Sequence, residues 1–173
     1  MMNRLTIFTI FLILFITTKS LSSSCLLNLK LNKELNSLNL NELETKELIP
    51  GIQLIELPVE FFCKQTKAKG TKIQLFFIKD KLKRITFAYN GYSDRPLFNV
   101  AQNFYKVGFK KNQNVIDMRL IEQYLIRKKD TLYAYENIKG EEEDFKNISE
   151  FFEIVDKSFE ELIVEYSLAE EPK

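Results

Sequence analysis

The chain has 173 residues, of which 45% are hydrophobic and 28% charged, and this composition excludes a globally disordered polypeptide. Its 25 basic and 24 acidic residues nearly balance, so it lacks the basic excess of a nucleic-acid-binding protein. The chain contains no histidine, which excludes histidine-based acid–base catalysis, Ser-His or Cys-His nucleophile pairs and histidine-ligated metals.

The first 24 residues are predicted to be a cleaved signal peptide. Arg4 supplies a positive charge, and Leu5–Ile16 is an apolar run interrupted only by two threonines. Such a run matches the hydrophobic region of a signal peptide and is shorter than the roughly 20 residues of a membrane-spanning helix. Small polar residues up to Ser24 then form a cleavage region. We therefore expect an exported protein of the periplasm, cell envelope or secreted fraction.

Two cysteines, Cys25 and Cys63, are candidates for covalent modification. The segment Leu21–Ser24 followed by Cys25 loosely resembles a bacterial lipobox, in which the cysteine becomes the lipidated first residue. It departs from that pattern because Ser22 stands where Leu is usual and Lys19 separates the apolar run from the cysteine. A disulfide between Cys25 and Cys63 is the alternative in an oxidising compartment. A lipid on Cys25 is the only membrane contact that the sequence predicts.

The segment after the signal peptide begins with residues 25–36, predicted to be a tether or short first element. From Ser37, leucines with acidic residues between them indicate a modest helix that ends at Pro50. Residues Ile52–Cys63 are strand-like, but Pro58 cannot donate a hydrogen bond to a neighbouring strand. This predicts an edge strand, or a strand broken by a bulge.

Two β-hairpins are the clearest elements of the sequence. The first covers Lys72–Ile78 and Leu82–Tyr89, where apolar residues alternate on both sides of a short polar link. The second covers Arg119–Arg127 and Thr131–Ile138, with a turn around residues 128–130. Alternation of period two on both sides of a short link is typical of paired strands.

A helix is predicted after the first hairpin. Ser93 and Asp94 are suitable N-caps, and Pro96 suits the first helical position. Apolar residues then recur at helical spacing until Gly108, which is a natural stop.

The last predicted element is a long amphipathic helix after the second hairpin. Its acidic start, residues 141–144, complements the helix dipole. An apolar stripe at helical spacing is then expected to pack on the sheet. The stripe consists of Phe145, Ile148, Phe151, Phe152, Val155, Phe159, Leu162, Ile163 and Tyr166.

The order of these elements predicts a single α+β domain over residues 37–173. In this fold an antiparallel sheet comes from two hairpins, each followed by a helix, and the long C-terminal amphipathic helix packs on the sheet. The two halves share a weak likeness. It is either a duplicated ββα unit or the chance recurrence of a common motif, and both interpretations stay open.

The sequence carries no recognisable catalytic or cofactor-binding motif. It has no glycine-rich phosphate loop, Gly-x-Ser-x-Gly turn or Cys-x-x-Cys pair, and residues 141–144 lack the ligand spacing of a calcium loop. No cofactor and no metal are therefore predicted. Three acids lie in an apolar context, Glu56, Glu60 and Glu122, and we interpret them as outward positions of strands.

Both faces of the predicted sheet are partly apolar, and this surplus carries the functional hypothesis. On the second hairpin, one face is assigned Ile121, Leu125, Tyr133 and Tyr135, and the other is assigned Leu120, Tyr124, Ile126, Leu132 and Ile138. Either other segments cover both faces, or one face is an exposed aromatic surface that binds a partner.

The resulting hypothesis is a non-catalytic binding module rather than an enzyme. Its partner is an unknown protein, peptide or apolar ligand, and its predicted contacts are Tyr89, Tyr92, Tyr133 and Tyr135. Two alternatives stay open. One is a histidine-independent extracytoplasmic hydrolase that uses a carboxylate pair brought together by folding. The other is a small carrier of a hydrophobic molecule.

Overall fold

The computed structural model describes residues 29–40, 42–63, 68–91, 95–109, 120–139 and 148–169. These residues form seven strands: β1 Lys46–Ile49, β2 Ile52–Pro58, β3 Lys72–Ile78, β4 Lys81–Gly91, β5 Leu120–Lys128, β6 Thr131–Lys139 and β7 Ile148–Asp156. They also form two α-helices, α1 Pro96–Asn103 and α2 Lys157–Ala169. The predicted signal peptide, Cys25, Tyr92 and the acidic run at 141–144 lie outside the described residues.

All seven strands belong to one antiparallel sheet in the order β1-β2-β3-β4-β7-β6-β5. The last strand, β7, pairs with β4 on one side and with β6 on the other. It therefore joins a four-stranded meander, β1–β4, to the hairpin formed by β5 and β6.

The predicted α+β fold with a ββα duplication is wrong, because the described chain is mainly a seven-stranded sheet and one of its two α-helices has only eight residues. The first hairpin is followed by α1, but the second is followed by strand β7. The two halves are therefore not copies of one unit.

The predicted long C-terminal helix is also wrong in its first half. Residues Ile148–Asp156 form β7, and α2 begins only at Lys157. The apolar residues of this segment fit the period of a helix as well as that of a strand. The segment hydrogen-bonds to a strand on each side, which a helix could not do. Asp156 starts the helix, because its Oδ1 accepts the Ser158 N–H at 3.0 Å.

The helix predicted from Ser37 is replaced by a short 3₁₀ turn at Leu35–Leu38 and by strand β1. Pro50 and Gly51 form the turn between β1 and β2, where Gly51 has φ 88°. Glycine adopts this left-handed conformation without a steric cost, so the Pro-Gly pair reverses the chain instead of ending a helix.

Among the described residues, strand β2 has a partner strand on both sides at its start and on one side at its end. All of Ile52–Pro58 pairs with β3, but β1 covers only Ile52–Leu54. Pro58 therefore lies beyond the part of β2 that needs a second partner, which is where a proline is tolerated.

Both predicted hairpins are confirmed, but both close through two-residue turns, Lys79–Asp80 in the first and Lys129–Asp130 in the second. The register of the second places Tyr124 opposite Tyr135 and Ile126 opposite Tyr133. The predicted grouping of Leu125 with the tyrosines is thus wrong, because a shift of one residue in register moves a side chain to the other face.

We call the face that carries Phe87, Tyr135 and Phe152 the inner face. Its core is covered by α1 and by apolar side chains from the segments 29–40 and 104–109. The opposite, outer face carries a smaller cluster in which Phe159 of α2 packs on Phe76 and Val155. No helix among the described residues is both long and apolar enough to cross a bilayer.

Candidate functional site

A polar row crosses one end of the inner face. The register aligns Glu122 of β5, Asn137 of β6, Glu150 of β7 and Tyr89 of β4, so their side chains project on the same side of the sheet. The adjacent row is aromatic and consists of Tyr124, Tyr135, Phe152 and Phe87. Aromatic side chains on the inner face thus give way to polar and ionisable ones within two residues along each strand.

Glu150 is the central group of the polar row and is fully buried. The Tyr135 hydroxyl donates to its Oε1 at 2.5 Å, and the Leu97 backbone N–H of α1 donates to its Oε2 at 3.1 Å. Burial raises the pKa of Glu150, because the charged form loses its hydration, while these two donors act in the opposite direction. Both oxygens of Glu150 are therefore engaged by the protein itself.

Arg95 lies across this row at the start of α1. Its guanidinium donates to the Glu122 carboxylate and lies 4.3 Å from the centre of the Phe98 ring. Arg95 also takes φ 47°, and as the N-cap residue of α1 it supplies no side-chain cap. The predicted caps, Ser93 and Asp94, lie outside the described residues.

Two polar atoms near this row have no hydrogen-bond partner within the described part of the chain: Oδ1 of Asn137 and Nε of Arg95. The Asn137 side chain is nearly buried, with 4% of its surface exposed. Because buried polar atoms usually have partners, this is a position that an ordered water would satisfy.

The chemistry of the polar row combines a carboxyl of raised pKa with a tyrosine, an arginine and a second carboxylate, and such groups also occur in acid–base sites. Here, however, Glu150 is buried and bonded through both oxygens. Its direct effect is to hold the first turn of α1 against the sheet.

Sequence reasoning missed Glu150 because its segment was assigned to a helix. The signal was present, since Ile148, Glu150, Phe152 and Ile154 alternate and Glu150 is the one charged residue in that series. Glu122 was predicted to point outward but lies on the inner face. Glu56 points outward from β2 as predicted, and it accepts from Gln74 Nε2. Glu60 lies in a 3₁₀ turn after β2 and not in a strand, and its Oε1 accepts the Gly70 N–H at the surface.

Three of the four predicted tyrosine contacts, Tyr89, Tyr133 and Tyr135, lie on the inner face of the sheet. Tyr135 is fully buried, and its ring meets the Phe98 ring edge-on at 5.2 Å. Tyr133 and Tyr89 are half-buried and pack against the same core. Tyr92 lies outside the described residues. Tyr135 is thus buried in the packing under α1, whereas Tyr89 and Tyr133 contribute to the inner-face core and are partly exposed, and their role as binding contacts stays a prediction.

The outer face is mostly polar beyond the region covered by α2. Cross-strand side-chain bonds join Gln74 to Glu56 at 2.6 Å, Gln123 to Glu136 at 2.7 Å and Arg84 to Glu153 at 2.5 Å. This pattern is typical of an antiparallel sheet with one solvated face. Leu125 is the exception, since 43% of its surface is exposed.

The two edges of the sheet differ in length and protection. Strand β1 has four residues and is followed by Pro50, and both features protect an edge from pairing with another chain. Strand β5 has nine residues and no proline. Within the described residues only β6 pairs with it. The exposed Leu125 is the sixth of these nine residues.

A shallow groove of about 670 Å³ lies between the β5–β6 turn and α2. Its lining mixes both charges, including Arg127, Lys129, Glu160 and Glu161, around the exposed Val164. This balance of charge does not select a charged ligand.

Cys63 is buried and disulfide-bonded. The sequence holds one other cysteine, Cys25, which lies outside the described residues. Of the two fates predicted for Cys25, the disulfide with Cys63 is the one that agrees with this bond.

No group of three or more Cys, Asp and Glu side chains in the described ranges is placed to bind a metal ion. Comparisons with protein-family models, with curated proteins and with solved structures found no match to this chain.

Proposed function

We propose that this protein is an exported, non-catalytic binding module that contacts an extended segment of a protein partner through the outer edge of β5. We call this surface the β5 edge and define it by Gln123, Leu125 and Arg127. The observation that carries the proposal is a nine-residue edge strand without a proline that exposes a leucine at its edge.

The hairpin turn determines which backbone groups face outward. Lys128 and Thr131 flank the two-residue turn and form a hydrogen-bonded pair, and such pairs alternate along an antiparallel ladder. The N–H and C=O groups of Lys128, Ile126 and Tyr124 therefore point to β6. Those of Arg127, Leu125 and Gln123 point away from it and are available to an added strand.

Strand addition also agrees with the placement of the tyrosines. Tyr135 is fully buried and Tyr124 and Tyr133 are half-buried in the inner-face core, so these rings offer a partner little free surface. Backbone hydrogen bonds supply affinity in strand addition, and the side chains beside them supply specificity.

The test compares native complexes of three proteins: the unchanged protein, Leu125→Pro and Leu125→Thr. Proline at 125 removes one outward N–H and leaves the ladder with β6 intact, whereas threonine keeps the N–H and strand propensity. Each is expressed in the native source, and its assembly size is read by native gel electrophoresis of a gently solubilised extract.

We expect the unchanged protein and Leu125→Thr to migrate above the monomer and Leu125→Pro to migrate as a monomer. Melting temperatures of the purified variants check that each is folded. Monomeric migration of the unchanged protein, or a complex that survives Leu125→Pro, would contradict the proposal.

A second candidate is the histidine-independent hydrolase, and the polar row is the observation that favours it. Glu122 of β5 and Glu150 of β7 lie on either side of Asn137 in β6, so about 10 Å separates their backbones. The pKa of Glu150 is also raised. If this pair is catalytic, hydrolysis of a mixed extracellular polysaccharide substrate should be lost in both Glu122→Gln and Glu150→Gln. Product release by both variants at the rate of the unchanged protein would remove this candidate.

A further inference from the structure

We propose that the partner strand at the β5 edge is β5 of a second copy of this chain, paired antiparallel about a two-fold axis at Leu125. This inference rests on the proposed function, since it names the occupant of the same edge. The resulting dimer would have one continuous sheet of fourteen strands, twice the seven of the single chain.

The register is restricted by symmetry and by the outward backbone groups. When two identical strands pair antiparallel, the two-fold axis passes midway between a residue and the same residue of the second chain. The axis can therefore lie at Gln123, Tyr124, Leu125 or a neighbouring position. With the axis at Leu125, the outward-pointing groups of Leu125 pair with each other. Those of Gln123 then pair with those of Arg127 in the second copy.

Side-chain chemistry selects Leu125 from these positions. With the axis there, Leu125 meets its own copy on the outer face, and Tyr124 meets Ile126 on the inner face. Glu122 meets Lys128, and Gln123 meets Arg127. Aromatic–aliphatic and opposite-charge pairs stabilise neighbouring strands. With the axis one residue earlier, Glu122 would face Ile126 and Gln123 would face Leu125.

Gln123 and Arg127 already have side-chain partners within the chain, Glu136 at 2.7 Å and Glu160 at 2.9 Å, so they meet the second copy through their backbone groups. Leu125 has 43% of its surface exposed, and Lys128 is exposed. Lys128 Nζ donates to the Lys106 carbonyl at 2.7 Å, but an ammonium carries three donors. The Glu122 side chain is 23% exposed, although it already binds Arg95.

The experiment uses the purified full chain and a zero-length carbodiimide cross-linker, which joins a carboxylate to an amine in direct contact. Within one chain Glu122 and Lys128 are six residues apart on an extended strand, or about 20 Å. An amide between them can therefore form only between two chains. Light scattering gives the mass in parallel.

We expect twice the monomer mass and a cross-linked peptide that joins residues 122 and 128. Lys128→Arg keeps the charge but cannot form this amide, so it should stay dimeric and lose the cross-link. Leu125→Lys places two ammonium groups together at the axis and should be monomeric, with the melting temperature of the folded protein unchanged.

The outcomes separate this inference from the proposed function. A purified monomer whose complex in the native extract is lost in Leu125→Pro overturns the second copy as partner and leaves strand addition standing. A purified dimer that lacks the 122–128 cross-link overturns the register. A monomer in both preparations overturns both proposals.

Discussion

The two faces of the sheet differ in how deeply their charged groups are buried among the described residues. The inner face holds one fully buried carboxyl, Glu150, with a donor on each oxygen. The outer face carries its charges as partly exposed pairs such as Arg84 and Glu153. A buried charge must be matched by donors because it has lost its water, whereas an exposed pair stays hydrated. Substitutions should therefore have larger effects on the inner face than on the outer one.

The sharpest test of this comparison uses two adjacent phenylalanines that point to opposite faces. Phe152 is fully buried, with its ring 5.7 Å from Phe87 and 5.4 Å from Tyr105. Phe152→Ala should lower the free energy of unfolding by about 4–5 kcal/mol. Phe151 is half-buried on the outer face, so Phe151→Ala should cost only about 1–2 kcal/mol. Urea denaturation measures both, and equal losses would contradict the assignment of faces.

The next effect concerns the outer cluster beneath α2. Phe159 is 3% exposed and meets Phe76 edge-on at 5.6 Å. Phe159→Ala should cost about 3 kcal/mol, the low end for a buried phenylalanine, because its cluster is small. Ile163→Ala is the control on the same helix, since Ile163 is 40% exposed. An unchanged melting temperature in Phe159→Ala would mean that α2 is peripheral.

Glu150 should make stability depend on pH. Because its pKa is raised in the folded protein, the folded state binds more protons than the unfolded state above the ordinary glutamate pKa of 4.5. Its contribution therefore falls as the pH rises from 4.5 through the folded pKa. Glu150→Gln removes this titration. As the pH rises, the unchanged protein should therefore lose unfolding free energy relative to this variant.

The matching truncation separates the charge from the hydrogen bonds. Glu150→Ala leaves the Tyr135 hydroxyl and the Leu97 N–H without their acceptor and should cost about 2–3 kcal/mol at neutral pH. Glu56→Gln makes the same substitution at an exposed carboxylate and is the control. A Glu150→Gln difference that is constant with pH would show that Glu150 does not titrate in this range.

The smallest effect is expected for the Arg84–Glu153 pair. The two side chains are 30% and 27% exposed, so their coupling should be at most about 1 kcal/mol. Arg84 also lies over the Phe76 ring at 4.9 Å, so its single substitution includes lost packing. A double-mutant cycle with Arg84→Ala and Glu153→Ala isolates the pair. A coupling as large as the loss in Phe152→Ala would reverse the comparison of the faces.

Local patterns in the sequence predict the hairpins well but not the partners of the strands. The β3–β4 and β5–β6 pairs and the position of Pro96 follow from alternation and turn residues, which are local properties. Strand β7 was missed because Phe151, Phe152 and Val155 fit a helical stripe as well as a strand. Only pairing with β4, about sixty residues earlier in the sequence, decides between the two.

The candidate site was missed for the same reason. Glu150 becomes a buried carboxyl only when β7 lies between β4 and β6 and α1 covers it. The face on which Leu125 lies depends on the length of the hairpin turn. A turn of two residues instead of three shifts the pairing by one residue and places Leu125 on the face opposite to Tyr133 and Tyr135. Both features are products of register, and register is fixed by tertiary contacts.

The central position of β7 has a consequence for synthesis. Of the seven described strands it leaves the ribosome last, yet it is the one that joins the two parts of the sheet. Until it emerges, β4 presents an unpaired edge with Ile85 and Phe87 beside it, and the β5–β6 hairpin has no sheet to join. Such non-local pairing is slow, and unpaired edges favour aggregation. Completion of the sheet must therefore wait for the C-terminal strand, and the β4 edge lacks β7 as its partner until that moment.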